Sequence, residues 1–445
     1  MREKLFTSAG FYYSSYFRIK VETNDTFLSF DENTSELGAA IFFHEYIHFL
    51  QDITTTNGLF NIITEVDFIK LFNSKLQSST EAYIEVPFKT ALEDGNVYIS
   101  QEMKKVWIGG GEHRDFDGEY SLSSETYNLA ANDMVYPLNR QFIEVGNKNE
   151  GGFKYYFGSY CICEGMAYEM EQIVYPSIIL PLPTKLPYSA PRLVANKLYP
   201  GFSDDAENII ALCDASLMYN DPGSVYCQIL KLMHQKVFSP EKAEDIYDFV
   251  YSNISFNYEQ ITEPQELFHY AGHLCTDQVS DYFRSNIFGA NDIWISRTLS
   301  AAQTLRTQIP SFMLDLVRAG DIRESDIFAQ IKAKIGTPII VNNQNEMFFE
   351  NILNAYGYPV KPEYFWVFSE IRDLITKDWN KLGRSNLCGL KEFCDAGNPA
   401  NPFTDYRCRS EPWARANDPN PDLCIFGATW KSWALEGRNI KQENN

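Results

Sequence analysis

The chain has 445 residues, so at roughly 150 per domain two or three packed units are expected. With 44% hydrophobic and 22% charged residues, and with 32 Phe, 27 Tyr and 7 Trp to fill cores, general disorder is excluded. Acidic residues outnumber basic ones 59 to 38, a net charge of -21, which disfavours nucleic acid and anionic membranes and favours peptides, cationic segments or metal ions as partners.

The first twenty residues, MREKLFTSAGFYYSSYFRIK, lack the apolar core of a secretion signal, and no later run reaches the roughly 18 apolar residues of a membrane span. Residues 11–32 alternate as two strands around a turn at Thr23–Asp25. A helix is predicted from about Ser35 through ELGAAIFFHEYIHFLQDI, breaking near Asn57-Gly58, and a second through LFNIITEVDFIKLFNSKL. Residues 82–148 read as strands and loops (AYIEVPF, NVYIS, KVWIGGGE, RQFIEV), NKNEGG at 147–152 as a hairpin turn, and KYYFGS as the approach to a helix at CICEGMAYEMEQI. Four prolines in PSIILPLPTKLP (176–187) mark a boundary. Helical periodicity dominates from about 190 to Gly336, and a helix at EYFWVFSEIRDLITKDWNKL precedes an irregular tail. Nine Cys, an odd number without an export signal, point to free thiols in the cytoplasm.

The chemistry concentrates in His44-Glu45-Tyr46-Ile47-His48. Two His at i and i+4 share one helical face and can bind one zinc ion, while Glu45, offset around the helix, can act as general base on a water at the open position. Leu37, Ala39 to Phe43, Ile47, Phe49 and Leu50 make this helix apolar nearly all round, hence buried. Two imidazoles and a carboxylate there cost several kcal/mol unless a cation or partner satisfies them. A third ligand is expected from a second helix, Cys163 to Glu171. Glu164 is favoured, with Tyr168 and Glu171 on its face and small Gly165 and Ala167 permitting close packing. Glu169 is expected to face water and Glu171 to support a ligand.

HEYIH followed by EGMAYEME resembles the glutamate-type zincins, the thermolysin-like and aminopeptidase-like zinc metallopeptidases. His44-Glu45-x-x-His48-x-x-x-Asp52 matches HExxHxxxD, and Glu164-Gly165-x-Ala167-x-x-x-Glu171 matches EGxAxxxE. The likeness covers about 35–55 and 159–175. His48 and Glu164 are 116 positions apart, far more than in those families, and Cys163 stands where they usually have Asn. The resemblance implies zinc held by His44, His48 and Glu164, Glu45 as base, a peptide or protein substrate, and an N-terminal sheet whose edge strand holds an extended peptide.

Elsewhere, Glu266, His269 and His273 stand at helical spacing. His269 is taken as a candidate for stabilising an oxyanion, with His234 and Tyr160 as alternatives and His113 as a loop residue. Cys388, Cys394, Cys408 and Cys424, with gaps of 5, 13 and 15 residues, are candidates for a structural zinc although they lack a CxxC knuckle. Cys161 and Cys163 read as packing residues.

The expected fold is α+β. Residues 1–185 form a zincin-like core with a small N-terminal β-sheet, central active-site helices and a β-rich insertion over about 56–158. A helical unit over 186–335 and a helix with a Cys-rich tail over 336–445 follow. The expected function is a cytoplasmic zinc peptidase, with no nucleic-acid or membrane partner. Two other readings are a binding protein with a merely structural zinc and a hydrolase of non-peptide amides.

Overall fold

The computed structural model describes residues 9–27, 34–146, 152–178, 184–256, 260–351, 360–382, 385–397, 404–419 and 423–443. The chain is mixed α and β with small sheets. Strands β1 (Gly10–Tyr13) and β2 (Arg18–Val21) form an antiparallel pair whose turn falls between Tyr13 and Arg18, not at Thr23–Asp25 as expected. Residues 28–32 of the second expected strand lie outside the described residues. Helices α1 (Glu36–Thr54) and α2 (Thr56–Ser78) follow.

Ser35 caps α1, accepting from Gly38 N at 2.9 Å, and Asp25 in turn binds the Ser35 hydroxyl at 2.7 Å. The break between α1 and α2 falls at Thr55, not at Asn57-Gly58. Thr55 is extended (φ -128°, ψ 151°) and its hydroxyl accepts from Gly58 N at 3.1 Å. Gly58 lies against the backbone of the last turn of α1, where a Cβ would collide with it, so this glycine permits the fold-back and does not end a helix.

After β3 (Tyr83–Val86), α3 (Asn96–Ile108) replaces the strands expected at NVYIS and KVWIGGGE. Ile99, Met103 and Val106 recur at helical spacing and pack on the long hairpin of β4 (Tyr120–Ala131) and β5 (Met134–Val145). Tertiary packing thus overrides the β propensity of Val, Ile, Tyr and Trp. The hairpin turns on Asn132-Asp133, both at positive φ (52° and 59°), the two-residue chemistry of a tight turn. β6 (Phe153–Phe157) adds to β5. Residues 147–151 of the predicted NKNEGG turn and 179–183 of the proline-rich boundary lie outside the described residues.

Then come α4 (Ser159–Val174), α5 (Lys185–Tyr188), α6 (Ala190–Leu198), α7 (Ala206–Ser216), α8 (Pro222–Lys236), α9 (Asp245–Asn253), α10 (Pro264–Tyr282), α11 (Asn291–Gln308), α12 (Phe312–Arg318) and α13 (Asp326–Ile335). β7 (Ile339–Val341) and β8 (Met347–Phe348) return to the first sheet, whose order is β1-β2-β7-β8, with β2 parallel to β7. After α14 (Glu363–Thr376), the tail carries α15 (Lys391–Gly397), α16 (Arg407–Ser410), α17 (Ile425–Ser432) and β9 (Asn439–Gln442), which pairs parallel with β3.

Helix α1 is the axis of the molecule. It packs against α2, α4, α11, β1 and β2, and Phe42, Phe43, Tyr46, Ile47, Phe49 and Leu50 are fully buried. Each such side chain contributes roughly 1.5–3 kcal/mol. The end of α1 is anchored by Arg306 of α11, itself buried. Its Nε donates to Thr54 O at 2.9 Å, and its guanidinium grips Asp214 of α7 at 2.6 and 2.8 Å. No helix among the described residues is long and apolar enough to cross a membrane.

Candidate metal centre

α1 and α4 pack face to face and bring together three of the residues singled out in the sequence. The rings of His44 and His48 stand 5.0 Å apart at 78°. Their Nε2 atoms lie 3.5 and 3.6 Å from one oxygen of Glu164, and all three donor atoms fall within 4.8 Å of one another. No other group of three or more potential ligands among the described residues is as tight.

The far side of each ring is held. His44 Nδ1 donates to Glu171 Oε2 at 2.8 Å, and His48 Nδ1 donates to Gln51 Oε1 at 2.8 Å. Gln51 Nε2 donates to Cys163 O at 3.2 Å, which fixes the amide with its oxygen towards His48. With Nδ1 of each ring engaged by Glu171 and Gln51, Nε2 of each ring is turned to the Glu164 carboxylate. In neutral rings those Nε2 atoms are lone pairs facing a carboxylate oxygen, which is repulsive unless a proton or a cation lies between them. Tetrahedral zinc ligands at about 2.0–2.1 Å are roughly 3.3–3.5 Å from each other, close to the 3.5 and 3.6 Å found, so the donor set fits zinc.

Without an ion, the neighbouring carboxylates favour a proton on each ring. Burial opposes charge on His44, but Glu164 and Glu171 outweigh it and hold its pKa well above the ordinary imidazole value; burial opposes charge on His48 too, and Glu164 raises it. Burial would raise Glu164, yet the two His hold it well below the usual carboxylate range. Glu45 is buried beside the pair, and burial pushes it up to about 7 against the opposing pull of His44 and His48. Strand β1 passes directly over it. A Cβ on Gly10 would meet Glu45 Cγ at 3.2 Å and Ile41 Cγ2 at 2.6 Å, so only glycine lets the strand run this close to the base.

The opposite wall comes from residues distant in sequence. Gly110 N donates to Tyr156 O at 2.8 Å, and Arg114 exchanges two 3.1 Å hydrogen bonds with Leu186. These bridges carry His113 to the site. Its Nε2 is 2.8 Å from the Tyr160 hydroxyl, and its ring is 5.7 Å from that of Tyr188. Tyr188 lies 6.3 Å from the His44 ring. Burial, and next the Glu164 charge, raise the phenols of Tyr160 and Tyr188, which keeps them hydrogen-bond donors. Gly165 makes room for this wall and not for α1: its Cβ would stand 2.5 Å from the Pro191 ring and 3.1 Å from Tyr188 O.

Several expectations change. Glu169 does not face water. It is buried and bound through both oxygens to Arg192 of α6, at 2.8 and 2.7 Å. Asp52 supports the sheet, accepting from Ser15 N at 2.6 Å, while Gln51 serves His48. His113 is in a loop, as expected, and its ring also meets Tyr160. His269 lies on α10 with Nε2 at 3.3 Å from Thr307 Oγ1 of α11, and no contact joins it to the cluster. Glu266, His273 and His234 are exposed, the last against Tyr199. Gln51 was legible as the residue one turn beyond His48. Tyr188 and His113 carried no local signal, because only long-range bridges bring them in. Comparison of the chain with protein-family models, with curated proteins and with solved structures gave no match.

Proposed function

We propose that the chain is a zinc-dependent peptidase, acting within chains as an endopeptidase, with zinc held by His44, His48 and Glu164. The observation that supports this reading is the pair of imidazole Nε2 atoms facing one Glu164 oxygen, each ring held from behind through Nδ1, with Glu45 buried beside them. When bound, zinc would polarise the scissile carbonyl and acidify a water.

The protein's own part is positional and protonic. Glu45 takes the proton of the attacking water and delivers it to the leaving amine. A buried carboxyl raised to about 7 is suited to both halves of that transfer. Tyr188 and the Tyr160–His113 pair supply protonated donors on the wall facing the cluster, where charge develops on the carbonyl oxygen. β1 is the outer strand of its sheet and runs past Glu45, so an extended peptide added along it would lay a backbone carbonyl near the base.

Glu45→Gln tests the proposal. It should keep one zinc at this site and lose cleavage of a proteome-derived peptide library, since it retains the shape but not the base. A wild-type protein that holds that zinc yet cleaves no peptide overturns the assignment, in favour of a structural ion or, if small amides are hydrolysed, of a different substrate class.

A further inference from the structure

Among the described residues after α14 the α-helices are short, with seven, four and eight residues, although Leu390, Trp413, Phe426 and Trp430 are buried in the core. Four of the nine cysteines fall here, and all four line one small cavity, with room for about one water-sized sphere.

Separate pieces of chain bring them there. Cys388 N donates to Cys408 O at 3.0 Å and Leu387 N to Arg409 O at 3.1 Å, so the loop at Leu387 and Cys388 lies against the carbonyl groups of α16. Cys394 comes from α15, whose backbone N at that residue donates to Leu390 O at 2.9 Å. Cys424 caps α17, and its sulfur accepts from Gly427 N at 3.3 Å, although burial outweighs this contact and raises the thiol. The backbone contact of Cys388 with Cys408 helps bring two cysteines distant in sequence to one cavity without a CxxC knuckle. None of the four is in a disulfide.

We propose that Cys388, Cys394, Cys408 and Cys424 bind a structural zinc ion that ties the pieces of the tail together. Four soft sulfur donors lining one ion-sized space are the ligand set of a closed tetrahedral site. The sulfurs stand wider than the donors of the His44 cluster, so binding draws them inward around the ion. The staple would reach the first sheet. Gly389 N donates to Glu370 Oε2 at 3.1 Å, and Glu370 pairs with Arg18 of β2 at 3.4 Å. This inference is independent of the catalytic reading.

X-ray absorption at the zinc edge on the purified full chain, grown with zinc and kept reduced, tests it. The expected spectrum contains a sulfur shell at about 2.3 Å, distinct from nitrogen and oxygen at about 2.0–2.1 Å. That shell should persist in His44→Ala and disappear in the double variant Cys388→Ser/Cys408→Ser, with zinc content falling by one ion per chain. Should the double variant fail to fold, the wild-type sulfur shell alone decides, supported by a thiolate-to-cobalt charge-transfer band after cobalt exchange. Zinc-loaded wild type without a sulfur shell overturns the proposal. So does a thiol titration of denatured, unreduced protein that finds four of the nine cysteines paired as disulfides.

Discussion

Gln51 is the test of whether the centre depends on its supporting bonds. Its amide joins the two ligand-bearing helices: the oxygen accepts from His48 Nδ1 at 2.8 Å and the nitrogen donates to Cys163 O, next to Glu164, at 3.2 Å. Gln51→Ala removes both bonds at once. Each is worth about 1 kcal/mol net, and each leaves a largely buried partner, the His48 N–H and the Cys163 carbonyl, at a cost of about 1–3 kcal/mol if no water replaces it. Part of that loss falls on the fold and part on the metal, because a freed His48 ring can rotate or take the other tautomer. Losing one such supporting group weakens metal binding by roughly 10- to 100-fold, about 1.4–2.8 kcal/mol. Competition with a chromophoric chelator measures the affinity, and thermal unfolding in excess chelator measures the fold without metal. Gln51→Glu separates the two roles. It keeps an acceptor for His48 but turns a carboxylate towards the Cys163 carbonyl, so zinc affinity should recover more than metal-free stability. Unchanged affinity in Gln51→Ala, with wild-type stability in chelator, refutes the role assigned to this side chain.

Gly165→Ala drives a methyl group into Pro191 and should cost roughly 1–3 kcal/mol of stability in thermal unfolding, lowering turnover as Tyr188 shifts. Arg306→Met strands Asp214 and the Thr54 carbonyl, and should destabilise by roughly 3–5 kcal/mol in denaturant titration. Asp52→Asn probes pH. Burial pushes Asp52 from 3.8 up to about 6 against the Ser15 N–H, so the folded state holds this proton more tightly than the unfolded chain. Stability is therefore lost as pH rises from about 4 to about 6 and stays lost above, by roughly 3 kcal/mol at most. An Asn still accepts from Ser15 N, so the variant should be more stable than wild type at pH ~7 and equal to it below pH ~4; a gain independent of pH contradicts this.

The ligands were legible because their geometry is local. His44 and His48 lie one turn apart on a single helix, and Glu164, Tyr168 and Glu171 share a face of another, so periodicity alone places each set. What periodicity cannot give is partners across the chain. Strand β2 pairs with β7 more than 300 positions away, and β3 with β9 near the other end, although nothing in either strand marks its neighbour. α3 was misread for a related reason: Val97, Tyr98, Ile99, Val106, Trp107 and Ile108 favour strands locally, but the hairpin they pack on rewards the 3.6-residue spacing of Ile99, Met103 and Val106. Glu169 was misjudged because its partner Arg192 sits on a helix beyond the proline-rich segment.

A cluster of two His and three carboxylates can be satisfied by protons as well as by a metal, and distance distinguishes the two. Were both rings imidazolium, each Nε2–H would draw Glu164 into a charge-assisted hydrogen bond of about 2.7–2.9 Å. His44 does make such a contact, but with Glu171 and through Nδ1, at 2.8 Å. Towards Glu164 both rings stop at 3.5 and 3.6 Å, too far for a hydrogen bond and near the spacing of donors around one ion. His44, His48 and Glu164 keep only 12%, 12% and 17% of their side-chain exposure, so water offsets only part of the charge. Glu171 and Gln51 hold Nδ1 of each ring and leave Nε2 towards Glu164, the orientation that the proposed metal site requires.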